Sequence, residues 1–126
     1  MKMIVIATLM FLLVIVGWFF AYAHLNHVYF ELSNHFSSLA ESVEKQDWDR
    51  AVKQLSMIDE QWKKAEKRFN LFINHEGIHD VELSLARTKH YIRKKELALS
   101  LAEIEVLKQL IYMLKEDESL AISNIF

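Results

Sequence analysis

The sequence predicts an all-α protein in which one N-terminal transmembrane helix continues into an antiparallel four-helix bundle without strands. Three observations lead to this fold class. Residues 3–23 are an apolar run, proline is absent and glycine occurs twice among 126 residues, and bulky side chains then recur at heptad spacing. Because Pro and Gly most often end helices and shape turns, long helices with short connections are expected.

Residues 1–23 are predicted to form a transmembrane anchor. Residues 3–23 carry no charge, and about 20 apolar residues cross the hydrocarbon core of a bilayer as a helix. Trp18 and Tyr22 lie near the outer end, where their rings favour the headgroup region and form an interface belt. Gly17 and Ala21 are four residues apart, a spacing of small residues that lets two membrane helices pack closely.

The distribution of basic residues predicts the orientation of this anchor. Lys2 precedes the apolar run, and no Lys or Arg follows until Lys45. The positive-inside rule therefore places the N-terminus in the cytoplasm and residues 24–126 outside the cytoplasmic (inner) membrane. The alternative is a cleaved secretory signal, with Ala21-Tyr22-Ala23 as the cleavage site. The apolar run exceeds the usual signal core of about 7–15 residues, which favours a retained anchor.

The extracytoplasmic part is predicted to be a bundle of four helices. No Gly or Pro occurs between Gly17 and Gly77, so the anchor and the first bundle helix can form one rod. Asp47 is a good N-cap for the second helix. The last helix is apolar over most of its circumference, which predicts that it lies centrally. The predicted bounds are 25–45, 47–73, 78–94 and 96–116, with an apolar tail at 119–126.

The second helix carries the clearest heptad pattern of the chain. Its bulky residues are seven apart: Trp48, Leu55, Trp62 and Phe69. Smaller residues alternate with them, as facing helices require in order to interdigitate. We interpret this seam as core and not as an aromatic platform for a ligand.

The segment His75-Glu76-Gly77-Ile78-His79 matches the zinc-hydrolase pattern H-E-x-x-H. In that pattern two His one turn apart bind zinc and the Glu activates water. A site also needs a continuous helix and a third ligand, for which the candidates are His90, Glu96 and Glu103. Because Gly77 is expected to form the hairpin turn, we predict no catalytic residues and no cofactor. His75 and His79 remain the metal candidates.

Charge and cysteine content exclude several classes of function. The net charge is −2 with acids and bases interspersed, so no single-sign field attracts a polyanion and nucleic acid is not an expected partner. The absence of Cys excludes disulfides and thiolate zinc sites.

Several stretches of the sequence carry a family resemblance. They are the apolar N-terminus, WKKAEKRFNLFINHE at Trp62–Glu76, ELSLARTKHYI at Glu82–Ile92 and the closing residues Ser123–Phe126. In these the chain resembles the bacterial family catalogued as domain of unknown function 4363. The resemblance implies an origin in firmicutes, which include spore formers, and so the spore membrane is one expected location. It also implies gene neighbours that encode multi-pass membrane proteins of the YetF-like type. It implies no activity. In the family Asn-His-Glu is the typical element and His79 is not, which argues against zinc.

The leading hypothesis is an accessory subunit whose anchor packs against a multi-pass membrane protein while the bundle covers its outer surface. The expected partners are the lipid bilayer and this multi-pass membrane protein, which the resemblance implies is YetF-like. The alternative to the second partner is further copies of the same chain in a homo-oligomer. The tail is expected either to pack on the bundle or to dock a partner through Ile122, Ile125 and Phe126. The alternatives are an extracytoplasmic ligand-binding or sensory bundle and a zinc hydrolase.

Overall fold

The computed structural model describes the backbone of residues 1–69 and 75–125, and their side chains except at positions 25, 68, 69, 118, 119 and 121–125. The described residues form four α-helices and no strand: α1 Lys2–Glu44, α2 Trp48–Phe69, α3 His75–Arg93 and α4 Leu97–Ile125. The predicted all-α fold class is confirmed.

Helix α1 runs without interruption from the apolar N-terminus into the bundle. Its 43 residues correspond to a length of roughly 65 Å. The apolar residues before Ala23 are exposed, whereas Leu32, Phe36, Leu39 and Val43 are buried at intervals of three and four residues. One rigid element therefore carries two different surfaces, one projecting from the protein and one forming its core.

The second half of α1 and the other three helices pack as an antiparallel bundle. Each helix contacts its neighbours in the chain, and α4 returns to contact α1. At the end nearest the N-terminal projection, the rings of Tyr29 and Tyr112 lie 6.0 Å apart and Lys115 Nζ lies 4.5 Å from the centre of the Tyr29 ring. The helix ends on this side are the end of α2 and the start of α3.

The turn between α1 and α2 at the opposite end closes with two backbone hydrogen bonds. Gln46 has φ 54° and donates its N–H to the Val43 carbonyl at 2.9 Å, and the Asp47 N–H reaches the Ser42 carbonyl at 2.9 Å. This pairing satisfies the last carbonyls of α1. Asp47 then caps α2, because its Oδ1 accepts the Arg50 N–H at 3.3 Å. The predicted N-cap is confirmed.

The turn between α3 and α4 has the same construction. Lys95 has φ 55° and donates its N–H to the Ile92 carbonyl, while Glu96 donates to the Tyr91 carbonyl, both at 3.0 Å. Two turns of three residues therefore reverse the chain without glycine. In each turn one non-glycine residue adopts the left-handed backbone conformation, which is energetically unfavourable for it.

The expected position of the hairpin turn at Gly77 is wrong. Helix α3 begins at His75, and Gly77 lies in its first turn without a positive φ. A Cβ atom at Gly77 would lie 2.6 Å from Leu114 Cδ2. The glycine therefore serves close packing between α3 and α4 and not chain reversal.

Two predictions about α4 are also wrong. The helix continues to Ile125 instead of ending at residue 116, and neither Gly nor Pro occurs there to stop it. It is not central, because Leu99, Val106 and Met113 are each about half exposed. Apolar residues around a whole helix can indicate burial in one protein or contact with another, and the pattern alone does not separate the two.

Candidate functional site

The projecting part of α1 is apolar and uncovered. By length and composition α1 is a helix that could cross a membrane, as a span or as a signal sequence. Its most apolar 18-residue window has a mean hydropathy of 2.8, and none of that window is buried inside the protein. Exposed apolar surfaces of this size mark interaction sites or membrane segments in other proteins.

One face of this projection forms a shallow apolar groove. It is lined by Ala7, Met10, Phe11, Val14, Ile15 and Trp18. Eighteen residues make five turns of an α-helix, which places Val14 directly below Leu32 and Trp18 directly below Phe36. Because Leu32 and Phe36 are core residues, the groove lies on the same face of α1 as the bundle core.

The small residues Gly17 and Ala21 border this groove. Ala21 lies five turns below the buried Leu39, and Gly17 lies five turns below His35. The His35 ring contacts Gln61 of α2 at 3.2 Å, so the small pair marks the edge of the groove on the α2 side. No atom lies within 4 Å of a Cβ placed at Gly17, and its role in helix packing stays a prediction.

The aromatic residues of the expected interface belt lie one turn apart. The rings of Trp18 and Tyr22 stack with centroids 5.9 Å apart, and both are 41% exposed. Trp18 also closes the upper end of the groove. The pair thus lies between the groove and the first buried residues of the bundle, the place that an outer membrane boundary would occupy.

The predicted seam of α2 divides between the core and its edge. Leu55 and Trp62 are buried, and Trp48 is partly buried against the same cluster. The side chain of Phe69 lies outside the described residues. These positions show that the described seam residues are packing residues. Sequence reasoning missed a different set of apolar residues, which are exposed on α4 at a spacing of seven: Leu99, Val106 and Met113.

The two metal candidates lie on one continuous helix, contrary to the expectation of a broken motif. His75 and His79 are exposed in the first and second turns of α3, and His79 Nδ1 contacts Glu82 Oε2 at 3.3 Å. Within residues 1–69 and 75–125, no group of three His, Cys, Asp or Glu side chains is arranged to hold a metal ion.

The three candidate third ligands are placed elsewhere. Glu103 Oε1 accepts hydrogen bonds from Ser84 Oγ at 2.8 Å and from Arg87 Nε at 2.9 Å. The His90 ring lies against Tyr91, and Glu96 belongs to the distant turn between α3 and α4. Glu103 therefore joins α3 to α4.

A family model described as a domain of unknown function (DUF4363) matches residues 19–125. The chain belongs to this family. The match confirms the family expected from the sequence and includes the bundle part of α1 together with α2, α3 and α4. No curated protein and no solved structure matches the chain.

The tail of this DUF4363 chain is helical as far as Ile125. The side chains of Ile122 and Ile125, and Phe126 as a whole, lie outside the described residues. Tyr112 is level with Tyr29, and the 13 residues from there to Ile125 add roughly 20 Å. In an antiparallel pair this path carries the end of α4 down beside the projecting part of α1.

Basic residues of the DUF4363 bundle form ion pairs both within and between its helices. Asp59 Oδ1 contacts Lys89 Nζ at 3.0 Å across α2 and α3, and Asp59 Oδ2 contacts Lys63 Nζ at 3.1 Å. Burial by itself would raise the pKa of Asp59, but hydrogen bonds from Lys89 and Lys63 outweigh it and lower that pKa. Lys89 thus joins α3 to α2, while Lys63 pairs with Asp59 within α2.

Two carboxyl groups of the DUF4363 bundle meet near the start of α3. Burial raises the pKa of Glu66, and repulsion from Glu82 together with a hydrogen bond between the two carboxyl groups raises it further. His79 and Lys63 act in the opposite direction with smaller effect. The folded protein therefore favours the protonated form of Glu66 more than the unfolded chain does.

This pair predicts a pH-dependent gain in stability for Glu66→Gln. Folding raises the pKa of Glu66 above its usual value of 4.5, so protonation of Glu66 stabilises the folded state. This contribution is lost as the pH rises through the folded-state pKa. The amide keeps a hydrogen-bond donor without the charge. We expect the free energy of unfolding of the variant to exceed that of wild type at pH 7 by less than about 1 kcal/mol.

Thermal unfolding between pH 4 and pH 7 measures this difference, which should shrink toward pH 4 as Glu66 becomes protonated in both states. Glu60→Gln is the matched control, since Glu60 is an exposed residue of the same helix. An equal gain in both variants, or a gain that does not vary with pH, contradicts the prediction.

Proposed function

We propose that this chain is a membrane-anchored accessory subunit that packs beside a multi-pass membrane protein and covers its outer face. In this proposal the first part of α1 spans the cytoplasmic membrane with its N-terminus inside, and the bundle lies outside. The observation that carries the proposal is the continuity of α1, whose exposed apolar projection and buried core residues belong to one uninterrupted helix.

The continuity of α1 gives the anchor more than a tethering role. A flexible linker would let the bundle move freely over the membrane, whereas a helix without Gly or Pro between Gly17 and Glu44 holds it at a constant height and rotation. Any protein that packs on the membrane part of α1 is therefore placed against one particular side of the bundle.

The uncovered apolar surfaces support a protein partner. The groove around Val14 continues the line of the core, and α4 exposes Leu99, Val106 and Met113 along the bundle. Lipid can cover the first surface but not the part of the second that lies far from the membrane. A partner with both membrane helices and outer loops would cover both.

Co-purification with and without Gly17→Leu tests the proposal. The tagged full-length chain is extracted from its native membranes in mild detergent, and the co-purifying chains are identified and quantified. We expect a multi-pass membrane protein at a constant ratio, reduced about tenfold by Gly17→Leu, because a bulky side chain costs roughly 1–2 kcal/mol where helices pack closely. Val16→Leu on another face is the control and should retain the partner.

Recovery of the lone chain from wild type and from both variants would overturn the proposal. A partner that is retained equally by all three chains would show that Gly17 does not contact it, and the helix-packing role of the Gly17 and Ala21 pair would then be wrong.

A further inference from the structure

We infer that a pocket between α1 and α2, at the membrane end of the bundle, binds the headgroup of a zwitterionic phospholipid, with the phosphate at Lys64 and the ammonium group at Glu31. The inference goes beyond the proposed role as a subunit and rests only on the proposed insertion of α1 in the membrane. It assigns a ligand to residues that neither the core of the bundle nor the zinc motif uses.

The pocket begins at the depth that lipid headgroups would occupy. Its α1 wall consists of His24, His27, Val28 and Glu31, which are three and four residues apart and so lie on one face of the helix. Tyr22, at the expected membrane boundary, precedes His24 by two residues and His27 by five, which corresponds to about 3 Å and 7–8 Å along the helix. The headgroup layer on each side of a bilayer is roughly 5–8 Å deep, so both His residues fall within it.

The opposite wall of the pocket comes from α2 and consists of Gln61, Lys64 and Ala65. Because Lys64 lines the same pocket as His24, this wall reaches toward the headgroup layer as well. The volume of the pocket is about 300 Å³, which is at the lower end of the range for pockets that hold small ligands. A phospholipid headgroup is a ligand of this size, and its acyl chains would remain outside the pocket.

Lys64 gives the pocket a positive charge that the described part of the protein does not neutralise. Its neighbour Lys63 is paired with Asp59 at 3.1 Å. Among the described side chains no carboxylate forms an ion pair with Lys64, although Glu60 lies one turn before it. A Lys ammonium group binds phosphate as a point charge. Lys64 is therefore the group that would hold the phosphate.

Glu31 gives the same pocket a negative charge. Its Oε1 lies 3.6 Å from His27 Nε2, and the Glu31 side chain is about half exposed. Within residues 1–69 and 75–125 no ion pair joins Glu31 to Lys64, so the pocket holds one group of each sign and neither neutralises the other. A zwitterionic headgroup carries the complementary pair, a phosphate for Lys64 and an ammonium group for Glu31. An anionic headgroup without an amine would leave Glu31 without its counterpart.

The surface of α1 below the pocket suits the acyl chains of the same lipid. Phe20 and Leu13 precede His24 by four and eleven residues, which places them on the same face of the helix. Both side chains are exposed. Acyl chains attached to a headgroup in the pocket therefore have apolar surface directly beneath them. A free phosphate compound would gain nothing from this surface, which favours a membrane lipid as the source of the headgroup.

Lipid retention by the purified full-length chain tests the inference. The chain alone is reconstituted in nanodiscs with equal amounts of phosphatidylethanolamine and phosphatidylglycerol, and the lipids that stay bound after release are counted by native mass spectrometry. Lys64→Gln removes the phosphate contact. Lys67→Gln is the matched control, because Lys67 is exposed one turn further along α2 and does not line the pocket. In a separate arm, glycerophosphoethanolamine in excess offers the same headgroup without acyl chains.

We expect wild type to retain phosphatidylethanolamine in preference to phosphatidylglycerol. Lys64→Gln should reduce this retention about fivefold, which is the contribution of one basic residue to headgroup binding at a membrane surface. Lys67→Gln should retain as much lipid as wild type does. Glu31→Gln should still bind lipid but lose the preference for phosphatidylethanolamine, because the group that pairs with the amine is gone.

Equal losses in Lys64→Gln and Lys67→Gln would indicate a general attraction of basic residues to headgroups and would overturn the inference. Equal retention of the two lipids by wild type would also overturn it, as would displacement of the lipid by glycerophosphoethanolamine, which would make a free compound the ligand. If wild type inserts in the nanodiscs and retains no lipid, the inference fails and the proposed function stands. If wild type does not insert, the proposed function fails as well.

Discussion

Phe36→Ala is expected to lower the free energy of unfolding of the bundle by about 3–5 kcal/mol. Phe36 is 1% exposed and lies among the core residues of α1, so its removal loses buried apolar surface and leaves a cavity that the neighbouring helices cannot close. Since small domains are stable by only about 5–15 kcal/mol, this variant should be close to unfolding at room temperature.

Denaturation of the full-length chain in detergent, followed by tryptophan fluorescence, to which the buried Trp62 contributes, and by helical circular dichroism, measures this loss. Phe30→Ala is the matched control, because Phe30 is 64% exposed on the same helix. We expect its effect to lie within about 0.5 kcal/mol of zero. An equal loss in both variants would mean that the buried face of α1 has been assigned to the wrong residues.

Gly77→Leu is expected to destabilise the bundle by about 1–3 kcal/mol. A Cβ atom there lies 2.6 Å from Leu114 Cδ2, and Leu114 is itself buried, so α3 and α4 must move apart or Leu114 must leave its rotamer. The better helix propensity of leucine returns about 1 kcal/mol. The steric overlap outweighs this gain, because the buried side chain of Leu114 has no solvent into which it can move.

Compensation at Leu114 tests the cause of this loss. Leu114→Ala alone should cost about 2–5 kcal/mol, and the double variant should cost clearly less than the sum of the two, since the added leucine occupies the space that is vacated. Gly17→Leu is the control, because no atom lies within 4 Å of its Cβ position; it should leave the bundle's stability unchanged. Additive losses in the double variant would contradict direct contact between positions 77 and 114.

Gly77 illustrates how far local sequence reasoning extends. At Gly77 the sequence suggested a turn, because glycine is the residue that most cheaply adopts left-handed conformations. Gly77 instead lies inside α3. Among the described residues, positive φ angles occur at Gln46 and Lys95, in two turns whose hydrogen bonds come from backbone groups of any residue type. A turn of this kind therefore does not require glycine.

The zinc motif shows the same limit. H-E-x-x-H describes the spacing of ligands along one helix, and the spacing is present on α3. A third ligand depends on which residues other helices bring close, and Glu103 is brought instead to Ser84 and Arg87. No pattern along the chain contains that information, because residues 84 and 103 meet only through the pairing of α3 with α4.

The sequence by itself determined the helical class, the apolar N-terminal segment, the family and the N-cap at Asp47. Each of these depends on composition or on contacts within a few residues, which the order of amino acids specifies directly. Only the tertiary structure decided that Gly77 lies against Leu114 and that α4 exposes apolar residues. These depend on the rotation and register of whole helices, which are set by the combined packing of four helices and cannot be obtained from any single one.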